Sequence, residues 1–116
     1  MTAEFLTMLF WLLVGHAICD YPLQGDFLSQ AKNRFTPVGK PIWRHALMAH
    51  GLIHGGAVAL VTGFVFLGLL EVIVHIVTDH CKNKGLLTFA QDQWIHYGCK
   101  VAWALPATLV IHLNRT

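Results

Sequence analysis

Each of four long apolar segments in this sequence carries one pair of polar side chains four residues apart, and that combination leaves few folds open. His16 and Asp20 stand in HAICD, His50 and His54 in HGLIH, His75 and Asp79 in HIVTD, and Asp92 and His96 in DQWIH. The segments cover about residues 3–20, 45–62, 64–79 and 91–113. A helix that crosses a bilayer needs ~20 mostly apolar residues, with a range of about 17–25. The third segment is short and is expected to tilt less or to sit in a locally thinned bilayer.

Composition supports the same reading. Only 12% of the 116 residues are charged and 55% are hydrophobic, where a soluble domain carries roughly 25% charged residues. The expectation is one all-α integral membrane domain over residues 1–116, a four-helix transmembrane bundle with antiparallel up-down threading. The net charge of +2 comes with no long basic block, which argues against a nucleic-acid partner. Three cysteines, Cys19, Cys81 and Cys99, give no complete disulfide framework and are expected to stay reduced. Glu4, rather than basic residues, precedes the first apolar run, so that run reads as a retained anchor and not as a cleaved signal.

Basic residues set the expected orientation. Lys32, Arg34, Lys40 and Arg44 separate segments one and two, and Lys82 and Lys84 separate segments three and four. The positive-inside tendency then puts both basic loops in the cytoplasm and both termini outside it. Gly51 and Gly55, with Gly56 beside them, predict a smooth face for close helix approach, and Pro106 predicts a kink in segment four. Between Tyr21 and Arg44 the run GDFLSQAKNR admits either a short interfacial helix or a plain solvated loop.

Residues four apart share one helix face. Two such side chains on one helix can grip one metal ion, the geometry that HExxH helices use. Up-down threading brings all four pairs toward the same, cytoplasmic end, with His50 and His54 deepest. Ionisable groups inside a membrane are costly, about 2.5–3.5 kcal/mol for Asp at a helix centre, and a bound cation compensates carboxylates and takes neutral imidazoles. The eight residues His16, Asp20, His50, His54, His75, Asp79, Asp92 and His96 suit two divalent ions, zinc first and then manganese or iron. The competing account is a set of His–Asp hydrogen bonds that only hold the helices together.

Further residues flank the pairs. Glu71 precedes His75 by four and reads as a group orienting His75, a proton-carrying base, or a neutral buried acid. Gln24, Gln93, Lys32 and Lys82 read as substrate-orienting groups or interfacial anchors. His45 and His80 lie at the expected interface, and His112 at the far end of segment four. No GxSxG, glycine-rich phosphate loop or HExxH motif is present, so catalysis, if any, runs through metal and water.

The ordered set HAICDYPLQ, the lysine of AKN, HGLIH, HIVTDHCK and DQWIH resembles the domain-of-unknown-function family numbered 3307, small membrane proteins of bacteria and phages. The likeness runs from His16 to His96. It implies polar motif positions at His16, Asp20, Gln24, Lys32, His50, His54, His75, Asp79, Lys82, Asp92, Gln93 and His96, and a bacterial inner membrane as the setting. By analogy with inner-membrane metal-dependent hydrolases, the expected function is hydrolysis of a phosphoester or amide in a lipid-like or membrane-proximal small molecule. Asp79 or Asp92 is then the general base, and Lys32 and Lys82 hold a phosphate. The alternative is a non-enzymatic membrane protein, either a metal or proton pathway or a phage accessory protein.

Overall fold

The computed structural model describes residues 1–116 and is all-α, with no strands. Five helices follow in order: α1 Thr2–Asp20, α2 Gly25–Ala31, α3 Trp43–Thr62, α4 Val65–Asn83 and α5 Phe89–Leu113. The short α2 makes part of the long loop helical. The third segment is longer than expected. It continues through Asn83, because Lys82 in its last turn reaches back 3.4 Å to Asp79 and meets the negative end of the helix dipole.

Local chemistry fixes the helix ends that matter for register. Gly63 closes α3 at φ +78, a left-handed position that favours glycine, and lets α4 turn back at once. Thr88 caps α5 with a reciprocal box: its hydroxyl accepts the Gln91 N–H at 3.1 Å, and Gln91 Oε1 accepts the Thr88 N–H at 2.9 Å. That cap sets where Asp92 and His96 fall on the first turns of α5. The helix then runs through Pro106 without ending.

The α3–α4 hairpin is glycine-tight. A Cβ on Gly55 would lie 2.5 Å from the Gly68 carbonyl oxygen, and one on Gly51 would lie 2.7 Å from Ile76 Cγ1. Gly68 was not anticipated as the partner. Gly56 belongs to a different face, since a Cβ there meets nothing within 4 Å. At the far end, Arg115 donates to Glu4 at 2.8 Å, so the two termini sit together.

The polarity of the bundle is inverted. Fourteen of its 27 buried residues are polar or charged, where a water-soluble helix turns its apolar stripe inward. On α4, Phe66, Leu69, Ile73 and Val77 are all more than half exposed, while Glu71, His75 and Asp79 are buried. An apolar core of Leu12, Val58, Leu67, Ala104 and Ala107 fills the half of the bundle nearer the termini. Two helices, α1 and α3, are long and apolar enough to cross a membrane by length and composition. Helices α4 and α5 fall outside that class, and their Glu71, Asp79, Asp92 and Lys100 are all buried.

Candidate metal centre

The four polar pairs meet. α1 contributes the pair from its last turn, α3 from its first half, α4 from its second half and α5 from its first two turns. His16, His50, His54, His75 and His96 are each at most 3% exposed, as are Asp79 and Asp92. The imidazoles of His54 and His75 stack with centroids 3.7 Å apart, and His75 and His96 with centroids 4.2 Å apart.

Three sets of ligand atoms are close enough to hold a metal ion, each with every atom within 4.8 Å of the others: Asp20, His50, His54 and His75; Glu71, His75 and His96; and Asp79, Asp92 and His96. The first draws on three helices. Asp20 Oδ1 stands 2.9 Å from His54 Nε2 and 3.5 Å from His50 Nε2. The first and third sets share no residue. His50 Nε2 links them, lying 3.5 Å from Asp79 Oδ2.

The donor set fits a cation. Nε2 of His50, His75 and His96 is buried with no hydrogen-bond partner in the protein, and so is Oδ1 of Asp92. Buried polar atoms are seldom left unpaired. Imidazole nitrogens left unpartnered beside carboxylates are what a divalent ion with N and O ligands requires.

Seven of the eight expected ligands fall within these sets, and His16 does not. Its Nε2 lies 3.2 Å from both Gln93 Oε1 and Asp20 Oδ2. That nitrogen is engaged by Gln93 and faces Asp20, unlike the unpartnered Nε2 atoms of His50, His75 and His96. His16 therefore orients Asp20. Gln93 does the same from the other side, donating to Asp20 Oδ2 at 3.0 Å and to Asp92 Oδ2 at 3.2 Å. A glutamine with one amide group between two carboxylates ties the α1 ligand to the α5 ligand.

The lysines sit differently from expectation. Lys32, the residue just after α2, is buried and its ammonium lies 2.5 Å from Asp79 Oδ2. It is committed to a carboxylate rather than free for a phosphate. Lys82 is partly open and reaches Asp79 Oδ1 at 3.4 Å and Asp92 Oδ2 at 3.3 Å. It is an ammonium, with a third N–H to spare.

Lys100 and Trp103 escaped the sequence reading. Lys100 Nζ pairs with Glu71 Oε1 at 2.5 Å and Trp103 Nε1 donates to Glu71 Oε2 at 2.6 Å. Glu71 Oε1 also lies 3.4 Å from His75 Nδ1, a carboxylate behind a candidate ligand imidazole. The signal was present: Lys100 follows His96 by four, on the stripe that begins at Asp92. His45 is exposed, His80 stacks on Trp43 at 5.3 Å, and His112 lies 3.4 Å from Glu4 at the other end of the molecule.

A cleft of ≈ 260 Å³ opens at the α2 end of the cluster, lined by Asp20, Gln24, Asp26, Lys32, Lys82 and Gln93 among others. Of the four site carboxylates only Asp20 reaches it.

Fold and site together define an all-helical protein whose buried His/Asp cluster can hold a metal ion. The chain belongs to the family described as "Protein of unknown function (DUF3307)", matched over residues 8–114. No curated protein and no solved structure matches it.

Proposed function

We propose that this chain is a four-span membrane protein carrying a metal-dependent hydrolase site at the cytoplasmic membrane face. The observation that carries the metal reading is the set of Asp20, His50, His54 and His75, whose ligand atoms from three helices all lie within 4.8 Å of one another. The inward polar stripes and outward apolar stripes of α4 and α5 support the same environment for them as for α1 and α3.

Zinc is the first choice for the three-imidazole, one-carboxylate set. Asp79, Asp92 and His96 take the second ion, and take it more weakly, because Lys32 and Lys82 already supply positive charge there. A bound divalent ion supplies a Lewis acid and an acidified water. In hydrolysis of a phosphoester, a water oxygen bonds to phosphorus as the P–O ester bond breaks, and the alcohol leaves with a proton. Where the second ion is absent, Asp92, with its unpartnered Oδ1, is free to act as the general base. Lys82 meets the substrate's negative charge from the cleft.

A conducting pathway is the other reading of an intramembrane polar column. Against it stands the apolar plug: beyond Glu71, Lys100 and Trp103, the bundle is filled by Leu12, Val58, Leu67, Ala104 and Ala107.

The test is elemental analysis of protein purified in detergent, beside turnover of a chromogenic phosphodiester. The reading expects at least one tightly held zinc per chain, lost in His54→Ala and His75→Ala together with turnover. Wild-type protein without stoichiometric metal sinks it. Metal without turnover on any phosphoester or amide removes the hydrolase half.

A further inference from the structure

The polar cleft has an apolar neighbour. A groove of ≈ 420 Å³ runs between α1 and α5, lined by Leu9, Leu13, Tyr21, Trp94, Tyr97 and Val101. Tyr21 borders both cavities. The partition between them is the knot already described: His16 lines the groove, Asp20 and Gln93 line the cleft, and His16 Nε2 touches both of those residues at 3.2 Å. The groove opens on the outer, apolar face of the bundle, where Trp94 is 72% and Tyr21 64% exposed. Aromatic side chains with a polar atom suit the headgroup level of a bilayer.

The two cavities differ sharply in chemistry. The groove takes hydrocarbon. The cleft offers Lys82 with its spare N–H, beside a cluster whose charge depends on metal. Asp20, Asp26, Glu71, Asp79 and Asp92 stand against Lys32, Lys82 and Lys100, so with neutral imidazoles cluster and cleft together carry two net negative charges. One divalent ion cancels them, and a second leaves two net positive charges. The cleft loaded with both ions therefore calls for an anion, and the adjoining groove calls for an acyl chain.

We infer that the ligand of this site is a phosphate-bearing lipid, whose headgroup enters the cleft beside Lys82 and Asp20 while one chain lies in the α1–α5 groove past Tyr21. A free phosphate ester fills only the cleft, and an uncharged diacylglycerol only the groove. The inference deepens the hydrolase reading and rests on it for the fate of the bound ester. Lipid binding itself is read separately.

The experiment places metal-loaded protein in phosphatidylcholine nanodiscs and measures retention of phosphatidic acid, diacylglycerol and glycerol 3-phosphate by native mass spectrometry. Ala17→Phe and Val101→Phe fill the groove from exposed positions, and neither residue is a candidate metal ligand. The expected result is phosphatidic acid held at least ten-fold better than either partial probe. Both groove variants lose most of that preference with metal content unchanged, and Lys82→Ala reduces phosphatidic acid binding but not diacylglycerol binding. Equal retention of glycerol 3-phosphate and phosphatidic acid overturns the inference in favour of a soluble ester, as does a groove variant that binds like wild type. Metal content, measured on the same samples, judges the hydrolase reading independently: metal-bound protein without lipid preference defeats only the lipid assignment.

Discussion

The ammonium of Lys32, at the end of α2, lies 2.5 Å from a carboxylate oxygen of Asp79 near the end of α4, and both side chains are under 5% exposed. This contact pins the only short helix over the mouth of the cluster, and Asn83 adds a second tie by donating to the Lys32 carbonyl at 3.1 Å. Removing one partner of a buried pair strands the other charge, at about 3–5 kcal/mol. Lys32→Met is expected to lower the unfolding temperature of metal-free protein in detergent and to tighten the second metal, because Asp79 is then released to a cation. Titration with zinc, followed by thermal unfolding, checks both. Unchanged affinity for the second ion would mean that Lys32 does not compete with metal.

Metal affinity should separate His16 from the other histidines. His54→Ala and His75→Ala remove a ligand from the first set, and a loss of more than about 100-fold in zinc affinity is expected. His16→Ala removes only a group that orients Asp20, so a smaller loss is expected, about 10–100-fold. Competition against a chromophoric chelator orders the three variants, and His16→Ala as damaging as His54→Ala would restore it to the ligand set.

Glu71 and Lys100 form a second buried pair, joined by Trp103. Glu71→Gln leaves Lys100 charged and unpaired, and about 3–5 kcal/mol of stability should go with it. The double change Glu71→Gln with Lys100→Met should recover much of that loss. A double-mutant cycle on thermal or denaturant unfolding in micelles reads the coupling, and additive losses would argue against a pair.

Gly55 and Gly68 set the closest approach of α3 and α4, and a side chain has no room there. Gly55→Val should weaken the hairpin and lower the unfolding temperature, whereas Gly56→Ala, with open space at its Cβ, should leave it unchanged or raise it slightly through helix propensity. Equal responses at the two neighbouring positions would contradict the packing.

The bundle returns its termini to one end, as the Glu4–Arg115 bond requires. Single cysteines placed at Ala3 and at Thr116, on a background without the native thiols, should therefore react with a membrane-impermeant maleimide from the same side of the bilayer. A cysteine at Lys40 should react from the opposite side. Labelling of the two termini from opposite faces would exclude the four-span reading.

Much of the site was already readable in the chain. A spacing of four puts two side chains on one helix face whatever surrounds them, so the pairs His16/Asp20, His50/His54, His75/Asp79 and Asp92/His96 were visible without a fold. Up-down threading of four apolar segments then sends all of them to one end. Family membership was legible from the same ordered motifs. Atom-level roles were not legible, because they depend on which atoms of different helices come within hydrogen-bond distance. Only the tertiary structure engages His16 Nε2 with Gln93 and Asp20, buries Lys32 against Asp79, and pairs Lys100 with Glu71. The closeness of α3 to α4 was likewise half visible: Gly51 and Gly55 announce a bare surface, but Gly68 becomes their partner only when two helices are set in register. Local spacing is a property of one helix and is written in the sequence, whereas a proton's position or a charge's partner belongs to the space between helices and is decided by packing.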